Sequence, residues 1–334
     1  MGSWLAIMID FRRRKSPKIL YKYCPINKNS IQSLKDKKIW MGTPENLNDP
    51  YDMQIDYFPV RQNEIRNRHL NKLVNIPLDY YFISNMEEAE NGDPVKIGVK
   101  TFPTGQLGVD GLLSMLQNPE ALSMPNAISG VFCVSEVGLN PTMWSHYADH
   151  GAGMMIELAV KNVRAIDRIF RIGDLDFAPV KYVRKMPRQT ILDWLDDYHK
   201  SRLRSCLTKF KDWSYEREWR LIGNKGDYLA DNPFDVLSIS IGPYSTLSDR
   251  RKVFSLCKEL NVQFYLCAKN PIEYGYIAIK GVTDSLLDYF DEIDINEHVK
   301  RCMGLRKDGF DQVFQSVEVS RDDYEHPSNR KAPT

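Results

Sequence analysis

Residues 236–267 constrain the fold more than any other stretch of the sequence. VLSISI at 236–241 has the composition of a buried strand, residues 247–260 show helical spacing of apolar side chains, and residues 262–267 return as a strand. A strand–helix–strand unit of this length places its two strands parallel in one sheet, joined by a right-handed crossover. The chain must therefore build at least part of its core around a parallel strand pair.

The other predicted strands lie upstream and meander, so pairing them with that unit gives a mixed sheet. They are residues 19–23, 38–42, 130–135, 153–158, 177–183 and 213–222. Helices are predicted at 29–37, with Asn29 or Ser30 as N-cap, and at 187–211. The fold class is α+β, with a mixed β-sheet core, a helical insertion and a C-terminal strand–helix–strand unit.

Three parts are expected along the chain. Residues 1–18 end in FRRRKSPK and form a basic N-terminal arm. Residues 19–290 form a single α+β domain with a helical insertion at about 58–129, and residues 291–334 form a C-terminal helical extension with a disordered tail.

Composition excludes some classes of function. The 334 residues are 43% hydrophobic and 27% charged, which is ordinary for a globular protein. A net charge of +1, from 45 basic and 44 acidic residues, excludes a broad basic footprint for nucleic acid, although a local basic groove stays open.

The location is expected to be the cytoplasm. The six cysteines have no CxxC spacing, and several lie in apolar runs such as VFCVS, which favours reduced, buried thiols. No signal peptide is recognisable, and no apolar run approaches the ~20 residues that cross a membrane.

Polar, titratable and aromatic side chains are concentrated at residues 140–158, NPTMWSHYADHGAGMMIEL. Pro141 at a first turn predicts a short helix, followed by a glycine turn and a strand. The segment contains Trp144, His146, Tyr147, Asp149, His150 and Glu157. This density exceeds what a core requires, so the segment is expected to border a functional cleft.

Two other segments share this character, NDPYD at 48–52 and WSYEREWR at 213–220. On a strand, Glu216 and Glu218 fall on one face with Arg220, where like charges raise a pKa unless a cation or chemistry compensates. In a helix, Glu216 and Arg220 would instead form an i,i+4 pair. The three segments are predicted to meet in one cleft.

Two further patterns keep alternatives open. Asn48, Asp49 and Asp52 form either a loop that hydrogen-bonds itself or a set of ligand contacts. His146 and His150, four apart on one helix face, are spaced to share a metal ion, but the third ligand and the glutamate of a metalloprotease are missing. His150 caps a helix C-terminus in the competing interpretation, so no metal is expected.

Four motifs together resemble a bacterial family known only as a domain of unknown function. They are LYKY at 20–23, NDPYD at 48–52, MWSHYADHGAG at 143–153 and YEREWR at 215–220, and the likeness covers about residues 19–287. Members of that family are soluble and often carried by mobile or phage-defence loci. The resemblance implies antiphage defence and a partner protein from such a locus, but no established reaction.

A second set of residues is similar to the ADP-ribosyltransferases in order along the chain. Lys22 or Tyr23 on an early strand, Ser135 on a second strand and the late pair Glu216-x-Glu218 match that order. An early His or Arg is missing, and no Ser-Thr-Ser surrounds Ser135. The resemblance implies NAD as the ligand.

Within that resemblance, roles follow from the chemistry of glycosidic cleavage. Glu218 would bond the ribose 2-hydroxyl and stabilise oxocarbenium charge, Trp144 or Tyr147 would stack on nicotinamide, and Lys22 would contact pyrophosphate. The expected catalytic residues are Glu218, Glu216, His146 and Tyr23. The expected cofactor-binding residues are Lys22, Asn48, Asp49, Asp52, Ser135, Trp144, Tyr147 and Arg220.

The sequence supports three hypotheses. The first is an ADP-ribosyltransferase-like or NAD-cleaving effector of toxin type, acting on a macromolecular or nucleotide substrate. The second is a metal-dependent nuclease that uses Asp49, Asp52, His146 and Glu157, or the glutamate pair, around a divalent ion. The third is a non-catalytic ligand-sensing module of a defence system.

Overall fold

The computed structural model describes residues 16–58, 79–82, 98–101, 129–161, 163–166, 169–172, 175–190, 193, 197–224, 226, 228–229 and 232–305. They divide into two compact units. The first unit contains the described residues within 1–52, 130–182 and 209–334, and the second unit contains those within 53–129 and 183–208.

The described strands and helices have the following bounds. The strands are β1 (Ile19–Cys24), β2 (Ile39–Trp40), β3 (Asp56–Phe58), β4 (Asp79–Phe82), β5 (Gly98–Thr101), β6 (Ser129–Ser135), β7 (Met154–Val160), β8 (Val163–Ile166), β9 (Ile169–Ile172), β10 (Leu175–Pro179), β11 (Lys181–Val183), β12 (Arg188–Thr190), β13 (Thr208–Phe210), β14 (Glu218–Asn224), β15 (Tyr228–Leu229), β16 (Phe234–Ile241), β17 (Gln263–Lys269) and β18 (Tyr276–Ile279). The helices are α1 (Lys28–Lys35), α2 (Pro141–Tyr147), α3 (Tyr198–Cys206), α4 (Leu247–Leu260), α5 (Asp284–Glu292) and α6 (Ile295–Leu305).

A ten-stranded mixed sheet forms the first unit, in the order β18-β17-β16-β7-β1-β6-β14-β10-β9-β8. β16 and β17 are its parallel neighbours, and α4 connects them. The strand–helix–strand prediction and the α+β class are therefore confirmed. α4 begins where Thr246 Oγ1 accepts from the Asp249 amide at 3.1 Å, and ends at Asn261, whose φ is 55°.

Each face of this sheet carries its own apolar cluster, because alternate strand residues point to opposite sides. Leu20 and Ile156 belong to the larger core, which also contains apolar residues of α1, α4, α5 and α6. Tyr23 and Met155 belong to a smaller aromatic cluster with Trp144 of α2. The helices predicted after residue 281 are α5 and α6.

Local capping corrects several predicted boundaries. α1 begins at Lys28 because the cap is Asn27, which accepts from the Ser30 amide at 2.9 Å, so the predicted Asn29 or Ser30 N-cap was wrong. The predicted strand at 177–183 is divided between β10 and β11, and that at 38–42 is reduced to β2.

The single helix predicted at 187–211 was wrong. This stretch holds β12, α3 and β13. Asp193 Oδ2 accepts from the Thr190 amide at 2.8 Å, and Asp197 caps α3 by accepting from the Lys200 amide at 3.0 Å. These short aspartate contacts compete with a continuous helix even though the apolar spacing favours one.

Other predictions fall largely outside the described residues. These are the basic arm, the C-terminal tail and most of the insertion at 58–129, whose described parts are β4 and β5. In the described parts of the chain, no helix combines the length and apolar character that a membrane span needs.

Candidate functional site

The ten-stranded sheet is split between β1 and β6. β1 pairs with β7 over all of Ile19–Cys24, but with β6 it shares one register pair, Tyr21 with Ser135. Lys22 Nζ donates across the gap to the Cys133 carbonyl at 3.0 Å. A cavity of about 730 Å³, named here the main cavity, is lined by consecutive residues of both strands and so occupies this split.

The wall of the main cavity has an apolar part and a polar part. The apolar part includes Cys24, Leu34, Ile39, Phe132, Ile156, Leu158, Phe234 and Val236. The polar part includes Lys22, Ser135, Tyr147, Lys209, Glu216 and Glu218. A mostly apolar cavity with a few convergent polar groups is the usual form of a small-molecule site.

Five buried ionisable side chains form a charge cluster at the polar part: Asp52, Lys209, Glu216, Glu218 and Arg220. Lys209 Nζ lies 2.7 Å from Glu216 Oε2, and 3.4 Å from both Glu218 Oε2 and Asp52 Oδ2. Arg220 donates to both oxygens of Asp52 at 2.6 and 2.8 Å, and to both oxygens of Glu218 at 2.8 and 3.0 Å. Three carboxylates therefore face two cations.

Arg217, in the left-handed conformation, lies between the two glutamates. Residues Lys211–Glu216 form a 3-10 turn, Arg217 has a φ of 45°, and β14 begins only at Glu218. The continuous strand predicted from residue 213 was therefore wrong. Glu216 and Glu218, on either side of this left-handed residue, still both contact Lys209.

Neighbouring hydroxyls hold this turn in place. Ser135 Oγ donates to the Glu216 carbonyl at 2.5 Å, and the Glu218 amide donates to Tyr182 Oη at 2.9 Å. Ser135 thus positions Glu216 through the backbone.

The pKa values of the two glutamates are shifted in opposite directions. Burial raises the pKa of Glu216 to about 7, and the Lys209 ammonium only partly offsets this effect. Burial alone would also raise the pKa of Glu218, but Arg220 and Lys209 outweigh it and hold that pKa at about 2. Carboxyl groups whose environments separate their pKa values are suited to different roles in acid–base chemistry.

Tyr147 completes the polar part of the wall. Its hydroxyl donates to Glu216 Oε1. Burial, and then the charge of Glu216, raise the pKa of Tyr147 well above its usual range, so the phenol stays protonated at neutral pH. Burial would lower the pKa of Lys209, but Glu218 and Asp52 outweigh it and raise that pKa, so the ammonium stays charged.

A second cavity of about 470 Å³, named here the side pocket, adjoins the first. Its lining residues are Pro25, Asn48, Ser145, His146, Tyr147, Asp149, His150 and Trp213, of which Pro25, Asn48 and Tyr147 also line the main cavity. His146 Nδ1 lies 2.9 Å from Tyr215 Oη, and its ring centroid is 5.7 Å from that of Trp213.

Residues 143–221 match the model of a family described as "Protein of unknown function (DUF2971)". The expected resemblance to a domain of unknown function is confirmed over this stretch. The matched stretch carries Tyr147, Lys209 and the Glu216–Arg220 motif, whereas Lys22 and residues 48–52 lie outside it. No curated protein and no solved structure matches the chain.

The structure brings most of the expected residues to one place. The main cavity is lined by Lys22, Tyr23, Asn48, Ser135, Tyr147, Glu216 and Glu218. Asp52 and Arg220 contribute to the charge cluster without lining either cavity, and His146 lines the side pocket. Asn48 joins the pockets, since its Nδ2 donates to the His146 carbonyl at 3.3 Å.

Trp144 lies in the aromatic cluster, away from both cavities. It is fully buried, with ring centroids 5.6 Å from Tyr23 and 5.9 Å from Tyr276. It therefore has no exposed face on which a ligand would stack. The Tyr23 hydroxyl donates to the Val137 carbonyl at 3.0 Å and accepts from the Asn140 amide at 3.3 Å, contacts that anchor the loop before α2.

Asp49 and the histidine pair also differ from expectation. Asp49 Oδ1 accepts from the Tyr51 amide at 2.9 Å, which is the self-bonded loop, and Asp49 lines neither cavity. α2 ends at Tyr147 and His150 has a φ of 52°, so the shared helix face predicted for His146 and His150 was wrong. Among the described residues, no three His, Cys, Asp or Glu side chains are grouped to hold a metal ion.

Sequence patterns missed Lys209 and Cys133. Lys209 fell inside the helix predicted at 187–211, and no local signal marks a lysine on a three-residue strand as buried. Cys133 lines the main cavity and its thiol contacts Glu218; burial and the charge of Glu218 raise its pKa well above its usual range.

Proposed function

We propose that the main cavity binds a nicotinamide nucleotide and that the chain cleaves its N-glycosidic bond, as an ADP-ribosyltransferase-like or NAD-cleaving effector. One observation supports this most directly. Two carboxyl groups with pKa values of about 7 and about 2 share Lys209 on the wall of a cavity of about 730 Å³. Separated proton affinities in a cleft are typical of catalytic carboxyl pairs.

The chemistry assigns a role to each glutamate. The bond between ribose C1 and the pyridinium nitrogen breaks, its electron pair neutralises the ring, and nicotinamide leaves. Glu218, which stays ionised, supplies negative charge beside the developing oxocarbenium ion. Glu216 takes the proton of the attacking water or acceptor hydroxyl, which forms the new bond to C1.

The wall of the main cavity suits the rest of such a ligand. Its apolar part offers surface for a planar base, and the Tyr147 ring offers an aromatic edge beside Glu216. Lys22 lines the same cavity, and its ammonium has donors beyond the bond to the Cys133 carbonyl, which suits a pyrophosphate.

The competing hypotheses need other arrangements. A nuclease would have to displace Arg220 from Asp52 and Glu218 before these carboxylates held a divalent ion, because Arg220 bonds all four of their oxygens. A sensing module would bind the nucleotide without consuming it. We place the proposed activity in the bacterial cytoplasm, in antiphage defence with a partner protein from the same locus.

The test is nicotinamide release. Purified protein is incubated with NAD, alone and with candidate protein or nucleic-acid acceptors, and nicotinamide is quantified by chromatography. Glu216→Gln should lower the rate about 100-fold or more, the usual effect of losing a general base. The matched control is Glu292→Gln, at an exposed position of α5.

Two outcomes would overturn the proposal. One is intact NAD in every mixture. The other is a Glu216→Gln variant that cleaves at the wild-type rate. NAD that binds but survives, with a fully active Glu216→Gln protein in a biological assay, would identify a sensing module instead.

A further inference from the structure

The side pocket adjoins the charge cluster through Tyr147. Tyr147 lines both cavities, and its hydroxyl donates to Glu216. Trp213 lines the side pocket, while Lys209 Nζ lies 5.0 Å from the centroid of its ring. Tyr147 and Trp213 therefore connect the side pocket to the charge cluster of the main cavity.

The side pocket is lined by aromatic side chains and hydrogen-bond acceptors, together with the imidazoles of His146 and His150. Trp213 offers an aromatic surface, Asp149 a carboxylate, and Asn48 an amide oxygen, since its Nδ2 is used on the His146 carbonyl. Among the described residues that line this pocket, none is Lys or Arg. The adjoining charge cluster has three carboxylates for two cations, which adds negative potential when all are ionised.

The backbone fixes Asp149 at the rim. Asp149 and His150 have φ values of 48° and 52°, in the left-handed region. Short bonds hold this turn, from the Gly151 and Gly153 amides to the Ala148 carbonyl at 2.9 and 2.8 Å. The backbone that carries the Asp149 carboxylate, which lines the side pocket with Trp213 and Asn48, is therefore held in place before a ligand binds.

We propose that the side pocket binds a planar organic cation. Tryptophan gives the strongest cation–π contact among the aromatic side chains, and a carboxylate and an amide oxygen at the rim accept the N–H groups of such a ligand. Two sources carry this chemistry. One is the pyridinium ring of a nicotinamide nucleotide, which rests on the proposed function. The other is the guanidinium of an acceptor arginine.

The experiment is a binding titration on the full chain, without any turnover. The probes are 1-methylnicotinamide, its neutral counterpart nicotinamide, and methylguanidinium, each followed by the ¹⁵N signal of the Trp213 indole. That signal is assigned among the six tryptophans with Trp213→Phe. At least one cation should bind about fivefold more tightly than nicotinamide.

Asp149→Asn should remove that preference while keeping the fold, because asparagine accepts the left-handed conformation as readily as aspartate. Asp288→Asn, on the exposed face of α5, is the control and should change nothing. Selective binding of 1-methylnicotinamide identifies the nucleotide source, and selective binding of methylguanidinium identifies an arginine acceptor. Equal affinity for cation and neutral probe, or a preference that survives Asp149→Asn, would overturn the proposal.

The binding experiment on the side pocket and the test of NAD cleavage give independent results. Glu216→Gln tests cleavage and changes no side chain that lines the side pocket. If the protein binds the cation but never releases nicotinamide, the cation-binding proposal for the side pocket stands and the proposed NAD cleavage is refuted.

Discussion

Lys209 is the side chain on which the electrostatics of the main cavity depend. It is 5% exposed and lies within 3.4 Å of carboxylate oxygens of Asp52, Glu216 and Glu218. Taking charges out of water is costly, and each carboxylate here is compensated by Lys209, by Arg220 or by both. A buried network of this kind tolerates replacement of a whole pair better than loss of one partner.

Lys209→Met should therefore lower the free energy of unfolding by about 3–5 kcal/mol, because it leaves three buried carboxylates with one cation. Chemical denaturation at neutral pH measures this loss. Lys35→Met is the matched control, since its bond to Glu259 is exposed and should contribute less than about 1 kcal/mol. Equal losses in the two variants would contradict the account of the charge cluster.

The raised pKa of Glu216 predicts a pH dependence of stability. The folded protein holds this proton up to about pH 7, whereas the unfolded chain releases it near the ordinary value of 4.5. Between about pH 4.5 and 7 the folded state binds more protons than the unfolded state. The stabilising contribution of Glu216 is therefore fully present below about pH 4.5 and is lost as the pH rises to about 7. The loss is on the order of 3 kcal/mol.

Glu216→Gln should flatten that part of the curve, because its amide cannot titrate. Unfolding by denaturant at a series of pH values measures the difference between variant and wild type. Glu218 acts in the opposite direction at lower pH: with a folded pKa of about 2, its contribution is lost as the pH falls from about 4.5. A Glu216→Gln curve parallel to wild type between about pH 4.5 and 7 would refute the assignment.

At the scale of elements, the tight turn between α2 and β7 fixes the backbone that carries residues of the side pocket. An added Cβ at Gly242 would lie 2.0 Å from the Gly151 carbonyl oxygen, and one at Gly153 would lie 2.5 Å from that of Cys24. Two backbone hydrogen bonds hold the same contact: the Gly242 amide donates to the Gly153 carbonyl at 2.9 Å, and the Tyr244 amide donates to the Gly151 carbonyl at 3.1 Å. The turn that carries Asp149 and His150 is thus pressed against the end of β16.

Gly242→Ala should cost about 2–3 kcal/mol of stability, since the clashing atoms are backbone and cannot rotate away. Thermal and chemical unfolding measure the loss. Gly42→Ala is the control, because its nearest contact at 3.4 Å is an ordinary van der Waals distance. A Gly242→Ala protein as stable as Gly42→Ala would show that this turn is not fixed as described.

Elements with strong local signals could be predicted, and those set by tertiary contacts could not. Pro141 at the first turn of α2 and the apolar face of α4 are local features, and both predictions were confirmed. The left-handed conformation of Arg217 has no such signal, because arginine does not favour a φ of 45°. There Ser135 Oγ donates to the Glu216 carbonyl across 81 residues of sequence, a tertiary contact that no local pattern predicts.

At the scale of the molecule, the main cavity follows from the strand order of the first unit. Tyr21 and Ser135 are 114 residues apart, and their single register pair leaves the rest of β1 separated from β6. No local pattern specifies which strands become neighbours, so the split was beyond prediction from the sequence. The sequence predicted that the segments at 140–158, 48–52 and 213–220 meet in one cleft, because their polar and aromatic groups are costly to bury without a shared site. Asn48, Tyr147, Glu216 and Glu218 of these segments line the main cavity.

The most direct test of the central claim is the pH dependence of kcat/KM for nicotinamide release by the wild-type protein and by Glu216→Gln. If Glu216 is the general base of the main cavity, kcat/KM rises with pH, with a midpoint near its pKa of about 7, and then reaches a plateau. That rise should be absent from Glu216→Gln. Nicotinamide release that is independent of pH across this range, or that keeps the same profile in Glu216→Gln, would contradict the account.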